Sequence, residues 1–181
     1  MDEVLKEAFA KSKSKDKQES YKAYLYILEV TEQQVDWAYE VWDDLLEGLT
    51  DKDNHQRSRA AQYLANLAKS DPENRMLADL PKLWEVTKDE KFVTARHSLQ
   101  AIWKVGLAAA PQKDRIMAYM VDRFKNGTAE KNYTLIRFDI IQNMKHLYDQ
   151  LGDEEIRETA MNLMETVEDE KYQKKYKRVW K

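Results

Sequence analysis

The chain has 181 residues, of which 43% are hydrophobic and 35% are charged, and its formal net charge is −3. This length suits one domain with a sizeable core, and the hydrophobic fraction excludes an intrinsically disordered chain. The absence of cysteine excludes disulfides, thiolate chemistry and cysteine-ligated zinc. Because only 4 glycines and 3 prolines are available for tight turns, the composition predicts an all-α protein.

Residues 1–30 are predicted to form a helical cap at the N-terminus. Tyr21, Leu25 and Leu28 recur at helical spacing, and we expect them to form its apolar face. The first residues lack the apolar core of a signal peptide, and no stretch approaches the ~20 apolar residues of a membrane span. We therefore expect a cytoplasmic protein that does not interact with a membrane.

Three local signals predict where later helices begin and end. Thr31, followed by Gln34, fits a capping box that opens a helix. Pro81 is expected in the first turn of another helix, where a missing N–H is tolerated. Gly127 and Gly152 each follow an apolar-periodic run, and a glycine there suits the left-handed residue that often ends a helix.

A short charged motif recurs at a spacing of 40 residues, a period typical of helical-repeat proteins. In the third copy one extra residue, Asn132, follows the lysine. Each copy follows an apolar helix end and precedes another helix. The copies are Asp51-Lys52-Asp53 (degraded), Glu90-Lys91-Phe92, Glu130-Lys131 and Glu170-Lys171-Tyr172. The pattern predicts helix pairs over 32–69, 72–109, 111–150 and 153–181.

The helix after each motif begins with a basic residue and carries an apolar stripe. Its third, seventh and tenth residues beyond the basic one are apolar, which is the spacing of a buried helical face. In three copies the stripe reads Ala60, Leu64 and Leu67, then Leu99, Trp103 and Gly106, then Ile140, Met144 and Leu147. In the last copy Trp180 takes the first stripe position.

The segment from Asp51 to Ala65 resembles the inter-helix turn and second helix of a HEAT repeat, with its Asp-rich turn, early arginine and small residues. The resemblance covers about residues 35–181, although later copies replace the Ala60-Ala61 pair with larger residues. It implies a right-handed α-α superhelix, a HEAT-like solenoid of about four helix pairs plus the N-terminal cap. We expect a single domain over 1–181 whose second helices line a concave surface.

The basic residues that open the second helices form the candidate partner-binding row. Such a row can grip phosphates or an acidic peptide. The row and its neighbours are Arg57, Arg59, Arg96, His97, Arg137, Lys177 and Arg178. In the alternative interpretation each cation pairs with a carboxylate of its own or a neighbouring repeat, among Asp51, Asp53, Asp89, Glu90, Glu130 and Asp169.

Aromatic residues also allow two interpretations. The C-terminal run Lys171–Lys181 has six basic and no acidic residues, and its aromatic residues suit stacking on single-stranded nucleic acid. Alternatively, they share one helical face and cover the last apolar stripe. For Trp37, Trp42, Trp84 and Trp103, packing in the core is weighed against stacking on a flipped base.

No motif specifies a reaction, a metal site or a cofactor. His55, His97 and His146 are far apart, and the sequence has neither a P-loop nor a Gly-x-Gly-x-x-Gly motif. We expect a monomeric, non-enzymatic scaffold that binds a protein or peptide partner along the concave face. The alternative is a nucleic-acid binder related to the HEAT-like DNA-alkylation-repair glycosylases, although none of their catalytic residues can be placed on this sequence.

Overall fold

The computed structural model describes residues 1–181 and is 78% helix without any strand, which confirms the all-α prediction. None of its helices combines the length and the apolar character needed to span a bilayer. The α-helices are α1 Glu3–Lys11, α2 Lys17–Thr31, α3 Ala38–Gly48, α4 Asn54–Leu67, α5 Met76–Val86, α6 Phe92–Ala101, α7 Ala110–Asn126, α8 Tyr133–Leu151, α9 Glu154–Glu165 and α10 Glu170–Lys177. Short 3₁₀ segments cover Ala68–Ser70, Ile102–Leu107, Gly127–Ala129 and Arg178–Trp180.

Each copy of the charged motif lies at the junction between two helices, as its spacing predicts. At the starts of α4 and α10 an aspartate explains why the helix begins there. The Asp53 carboxylate accepts a hydrogen bond from the His55 amide (2.8 Å), and the Asp169 carboxylate accepts one from the Lys171 amide (2.9 Å). These bonds satisfy amides that have no partner within the helix. The predicted windows 32–69, 72–109 and 153–181 contain two α-helices each, and 111–150 contains α7 and α8 except for Ala110 and Leu151.

The residues group into two compact units, unit 1 (Met1–Ser98) and unit 2 (Leu99–Lys181). In unit 1, α1 packs on α2, α2 on α4, and α4 on both α3 and α5. Ile27, Trp42 and Leu64 are fully buried there. The buried Asn66 amide donates to the Leu28 carbonyl (3.2 Å) and the Thr31 hydroxyl (3.0 Å), which ties α4 to α2.

Unit 2 is organised around α8, which contacts α7, α9, α10 and the 3₁₀ segment Ile102–Leu107. The side chains of Ile140, Met144 and Phe124 are fully buried in its core. Gly152 ends α8 with a φ of 63°, which confirms the predicted left-handed residue. The same prediction is wrong at Gly127, which follows α7 with a φ of −85°.

The Asn143 side chain bridges α8 to the junction where α6 passes into its 3₁₀ segment. Its amide donates to the Leu99 carbonyl (2.9 Å), and its oxygen accepts from the Trp103 amide (3.1 Å). A continuous α-helix would pair those two backbone groups with each other. The side chain thus satisfies both groups where the winding changes.

The predicted apolar stripe is confirmed in α4 and α8 but is wrong at Trp103. Leu64 and Met144 are fully buried, whereas Trp103 is only half-buried, and Ile102 and Val105 occupy the core instead. The reason is the 3₁₀ segment, because three residues per turn shift the inward-facing positions away from the α-helical spacing.

The predicted apolar face of the N-terminal cap is also wrong. Tyr21 and Leu25 are exposed, and α2 instead buries small residues together with Ile27. The helical spacing is correct, but a different face of α2 is buried. The face with Ala23 packs inward because its small side chain permits the close approach of a neighbouring helix, which a tyrosine would prevent.

Two predicted helix starts are wrong as well. Thr31 ends α2 instead of capping α3, since its hydroxyl donates back to the Ile27 carbonyl (2.7 Å). Pro81 lies inside α5 instead of in its first turn. The helix begins earlier because the Asp71 carboxylate accepts from the Arg75 amide (2.9 Å) and the Met76 amide (2.8 Å).

We predict that Asn143→Ala lowers the free energy of unfolding by about 3 kcal/mol, because buried backbone groups at Leu99 and Trp103 lose their partners. Urea denaturation followed by circular dichroism measures the change. The matched control is Asn162→Ala on the exposed face of α9, which should change stability by less than about 0.5 kcal/mol. Equal effects of the two substitutions would contradict the role assigned to Asn143.

Candidate partner-binding surface

Arg57 of the predicted row is held by an ion pair within unit 1. Its Nε and one terminal nitrogen donate to the two Asp89 oxygens at 2.6 and 2.9 Å, and its other terminal nitrogen donates to the Asp51 carbonyl (2.8 Å). The two side chains are only 15% and 7% exposed. This is the arrangement that the ion-pair alternative predicts.

The other predicted residues of unit 1 differ in their surroundings. Arg59 donates to the Ser12 carbonyl and the Ser20 hydroxyl, both at 2.6 Å, and its guanidinium lies 5.1 Å from the centre of the Tyr24 ring. Arg96 is half-buried and engaged with neighbouring groups, whereas His97 beside it is exposed.

Lys177 was predicted to open a second helix, but it is the last residue of α10, and Arg178 follows it. Lys177 pairs with Glu165 (2.6 Å) through side chains that are both substantially exposed. Such a pair contributes little to stability and opens readily, because solvent screens it. Arg178 is exposed and has no partner in the protein.

Arg137, in the first turns of α8, has the most distinctive environment. Its Nε donates to the Phe124 carbonyl near the end of α7 (2.9 Å). Its guanidinium carbon lies 4.7 Å from the centre of the Phe124 ring and 5.4 Å from that of Tyr133. Neither terminal nitrogen donates to a protein acceptor, and no carboxylate pairs with the guanidinium. Arg137 is therefore held in position, and its two terminal nitrogens keep unused N–H donors.

A cavity of about 370 Å³ lies beside Arg137, between the N-terminal ends of α8 and α10. Its volume falls within the range of small-molecule and side-chain pockets. Arg137 supplies its positive charge, and Glu168 and Asp169 supply two negative charges. The remaining lining residues are Thr128, Tyr133, Thr134, Thr166, Val167, Tyr172 and Tyr176.

Tyr176 forms the floor of this cavity and is fully buried. Its hydroxyl donates to the Thr134 carbonyl (2.7 Å). Burial raises the pKa of Tyr176 to about 12, and the nearby Arg137 charge opposes part of that rise. The hydroxyl is consequently a neutral donor at physiological pH, committed to the backbone of α8.

Two interpretations were given for the aromatic residues of the C-terminal run, namely that they cover the last apolar stripe or that they are available to stack on a ligand. Tyr176 packs edge-on against Phe124 with ring centres 6.2 Å apart, as a residue that covers the last stripe should. Tyr172 is half-buried and lines the cavity beside Arg137. Trp180, at the first stripe position, is also half-buried and packs against Tyr148 with ring centres 5.4 Å apart.

The tryptophans weighed as base-stacking residues lie mostly in the interior. Trp42 and Trp84 are buried, and Trp37 and Trp103 are half-buried. The Trp103 ring packs against His146 with ring centres 5.1 Å apart, and burial lowers the pKa of that histidine. None of the four lines the cavity beside Arg137.

Sequence reasoning found Arg137 but missed the side chains around it. Tyr172 belongs to the fourth copy of the motif, and Tyr133 follows the lysine of the third copy after one extra residue, so their recurrence after the lysines was the available signal. It also missed a groove of about 460 Å³ in unit 1, between α1, α3 and α4. Arg59 lines that groove, and one of its terminal nitrogens donates to the Ser12 carbonyl and the Ser20 hydroxyl.

Neither the metal-ligating side chains nor the comparisons with known proteins assign a chemistry or a family to the chain. No cluster of three or more histidine, aspartate or glutamate side chains is arranged to hold a metal ion. No protein-family model, curated protein or solved structure matches the chain.

We predict that Asp89→Asn lowers the free energy of unfolding at about pH 7 by about 2 kcal/mol, because Arg57 loses a charged partner. Burial raises the pKa of Asp89, but the hydrogen bonds from Arg57 and the Lys91 amide outweigh it, so the net pKa is below its usual value. The contribution is therefore present above the unfolded-state pKa of about 4 and is lost as the pH falls through the folded-state pKa.

Urea titrations at about pH 7 and about pH 3 measure this difference, and the two proteins should become more similar at the lower pH. The matched control is Asp43→Asn, since Asp43 pairs with Arg75 but is 77% exposed. Its loss should cost less than about 1 kcal/mol. A difference for Asp89→Asn that is the same at both pH values would refute the assigned pair.

Proposed function

We propose that the chain is a non-enzymatic interaction module that binds a protein or peptide partner along the surface of its second helices. The observation that carries this proposal is the cavity between α8 and α10, where the fixed guanidinium of Arg137 keeps unused donors. Arginine and tyrosine are the residues that protein interfaces favour at their energetic centres, and both are present there.

The HEAT-like right-handed superhelix expected from the sequence is part of this proposal. Within unit 1, α3 contacts α5 and α2 contacts α4; within unit 2, α7 contacts α9 and α8 contacts α10. First helices thus neighbour first helices, α8 and α10 are neighbouring second helices, and α2 of the N-terminal cap takes the corresponding place beside α4. A stack of helix pairs requires this order of neighbours, which supports the repeat interpretation without defining the curvature.

A peptide suits the surface better than a nucleic-acid backbone does. A duplex or single strand needs a row of cations that are free to meet successive phosphates. Arg57 instead donates from all three of its nitrogens to acceptors of unit 1, and one terminal nitrogen of Arg59 donates to the Ser12 carbonyl and the Ser20 hydroxyl. The net charge of −3 adds no long-range attraction for a polyanion.

A peptide display library, selected on the immobilised full chain, tests the proposal. We predict that selected peptides lose at least about tenfold in affinity when Arg96 and Arg137 are both changed to glutamate, because charge reversal in a contact surface repels an acidic partner. Fluorescence anisotropy measures the affinity, and circular dichroism verifies that helicity is unchanged. The matched control is Lys125→Glu on the exposed surface of α7, a first helix, which should leave affinity unchanged.

A fluorescent single-stranded oligonucleotide, titrated at about 50 and about 200 mM salt, tests the nucleic-acid alternative. Binding that weakens steeply with salt and is lost in the double variant would replace the peptide proposal. Failure to select any peptide, or selected peptides that bind both variants equally, would also count against it.

A further inference from the structure

Two arginine–aspartate pairs occupy equivalent places in the repeat. Arg57 and Asp89 are 32 residues apart, and so are Arg137 and Asp169, two periods further along the chain. In each case the arginine lies near the start of a second helix, and the aspartate precedes the next second helix. The repeat therefore offers the same ionic contact twice, once in each unit.

The ion pair forms in unit 1 but not in unit 2. Asp89 receives two hydrogen bonds from Arg57, whereas Arg137 turns its Nε to the Phe124 carbonyl and forms no ion pair with Asp169. The turn before α8 is also the one that carries the extra residue Asn132, which adopts a left-handed φ of 62°. The cavity of about 370 Å³ occupies the space beside Arg137.

We infer that this cavity takes the carboxylate of an acidic side chain from the peptide partner, held by the two terminal nitrogens of Arg137, because the Nε is already used on the Phe124 carbonyl. The inference rests on the proposed function and names the chemistry that its surface recognises. A planar carboxylate matches the fork of a guanidinium in a two-bond geometry. The terminal nitrogens of Arg137 supply the donors, and the rings of Phe124 and Tyr133 fix their direction.

The charges around the cavity favour a carboxylate over a phosphate. Glu168 and Asp169 line the same space, and each repels a bound anion. A phosphate monoester carries nearly two negative charges at neutral pH, so the repulsion that it meets is nearly twice that met by a carboxylate. Because both carboxylates are exposed, this repulsion should weaken as salt concentration rises.

The rings that line the cavity favour a side chain attached to a peptide over a free ion. Tyr133 and Tyr172 present apolar faces beside the donors of Arg137. The methylene groups and the backbone of an acidic residue can pack on such faces, which a small inorganic anion cannot do.

Three capped amino acids serve as probes in an NMR titration of the full ¹⁵N-labelled chain: N-acetyl N-methylamides of glutamate, glutamine and phosphoserine. We expect the glutamate probe to shift amide signals at the starts of α8 and α10, the glutamine probe to shift none, and the phosphoserine probe to bind more weakly than glutamate. Tighter binding of phosphoserine would overturn the assignment to a carboxylate, and equal shifts with glutamine would overturn recognition of charge.

Three variants locate the binding. Arg137→Gln should reduce affinity for the glutamate probe at least about tenfold. Lys125→Gln removes one positive charge outside both the cavity and the basic row and should change nothing. Asp169→Asn keeps a residue that caps α10 well and should tighten binding about threefold at low salt. The last variant keeps Arg137, so the inference remains testable if Arg137→Gln unfolds.

The outcome separates this inference from the proposed function. If display-selected peptides bind but the glutamate probe does not, the carboxylate site is refuted and the module binds its partner elsewhere. If the glutamate probe binds at Arg137 but no peptide can be selected, the site stands and the peptide-binding function is refuted.

Discussion

The buried carboxamide of Asn143 is the contact on which the packing of unit 2 depends. It joins α8 to the Leu99 carbonyl and the Trp103 amide, where α-helical winding gives way to a 3₁₀ segment. Both backbone groups would otherwise lose a partner in the interior, and such losses are costly where water cannot enter. Asn66 makes a related contact in unit 1, at the end of α2. In each unit a buried amide thus fixes how one second helix meets its neighbour.

A separation of 40 residues links the sequence to these contacts. It is the spacing of the charged motif, and it recurs in hydrogen bonds within each unit, between Asn54 and Thr94 and between Trp103 and Asn143. Repetition gives equivalent residues equivalent neighbours. The departure at Arg137 is therefore informative, since its counterpart Arg57 has a carboxylate partner and Arg137 has an open cavity. In repeat proteins a binding site can arise where one copy lacks a contact that stabilises another copy, because the side chain without its partner can then bind a ligand.

Much of the fold could be predicted from the sequence, and the errors have identifiable causes. Apolar spacing placed Leu64 and Met144 correctly in the core, because helical periodicity is a local property. It failed at Trp103, where the winding changes, and at Tyr21, where spacing defines a face but not whether that face is covered. Of the candidate site, Arg137 was predicted but the tyrosines around it were not. Tyr172 and Tyr176 lie on α10, some forty residues further along the chain, and only packing brings them to Arg137.

The sequence by itself determined the helical class, the forty-residue period, the junctions between helices and the identity of the basic row. Each follows from local chemistry: composition, apolar spacing and aspartates that satisfy free amides. Only the tertiary structure decided which basic residues are engaged and which keep unused donors. Arg57 and Arg137 occupy the same place in the pattern. They differ because a carboxylate of the next repeat lies within hydrogen-bond distance of Arg57 but not of Arg137. That distance depends on how the helices pack, and packing is not encoded in the spacing of residues along one helix.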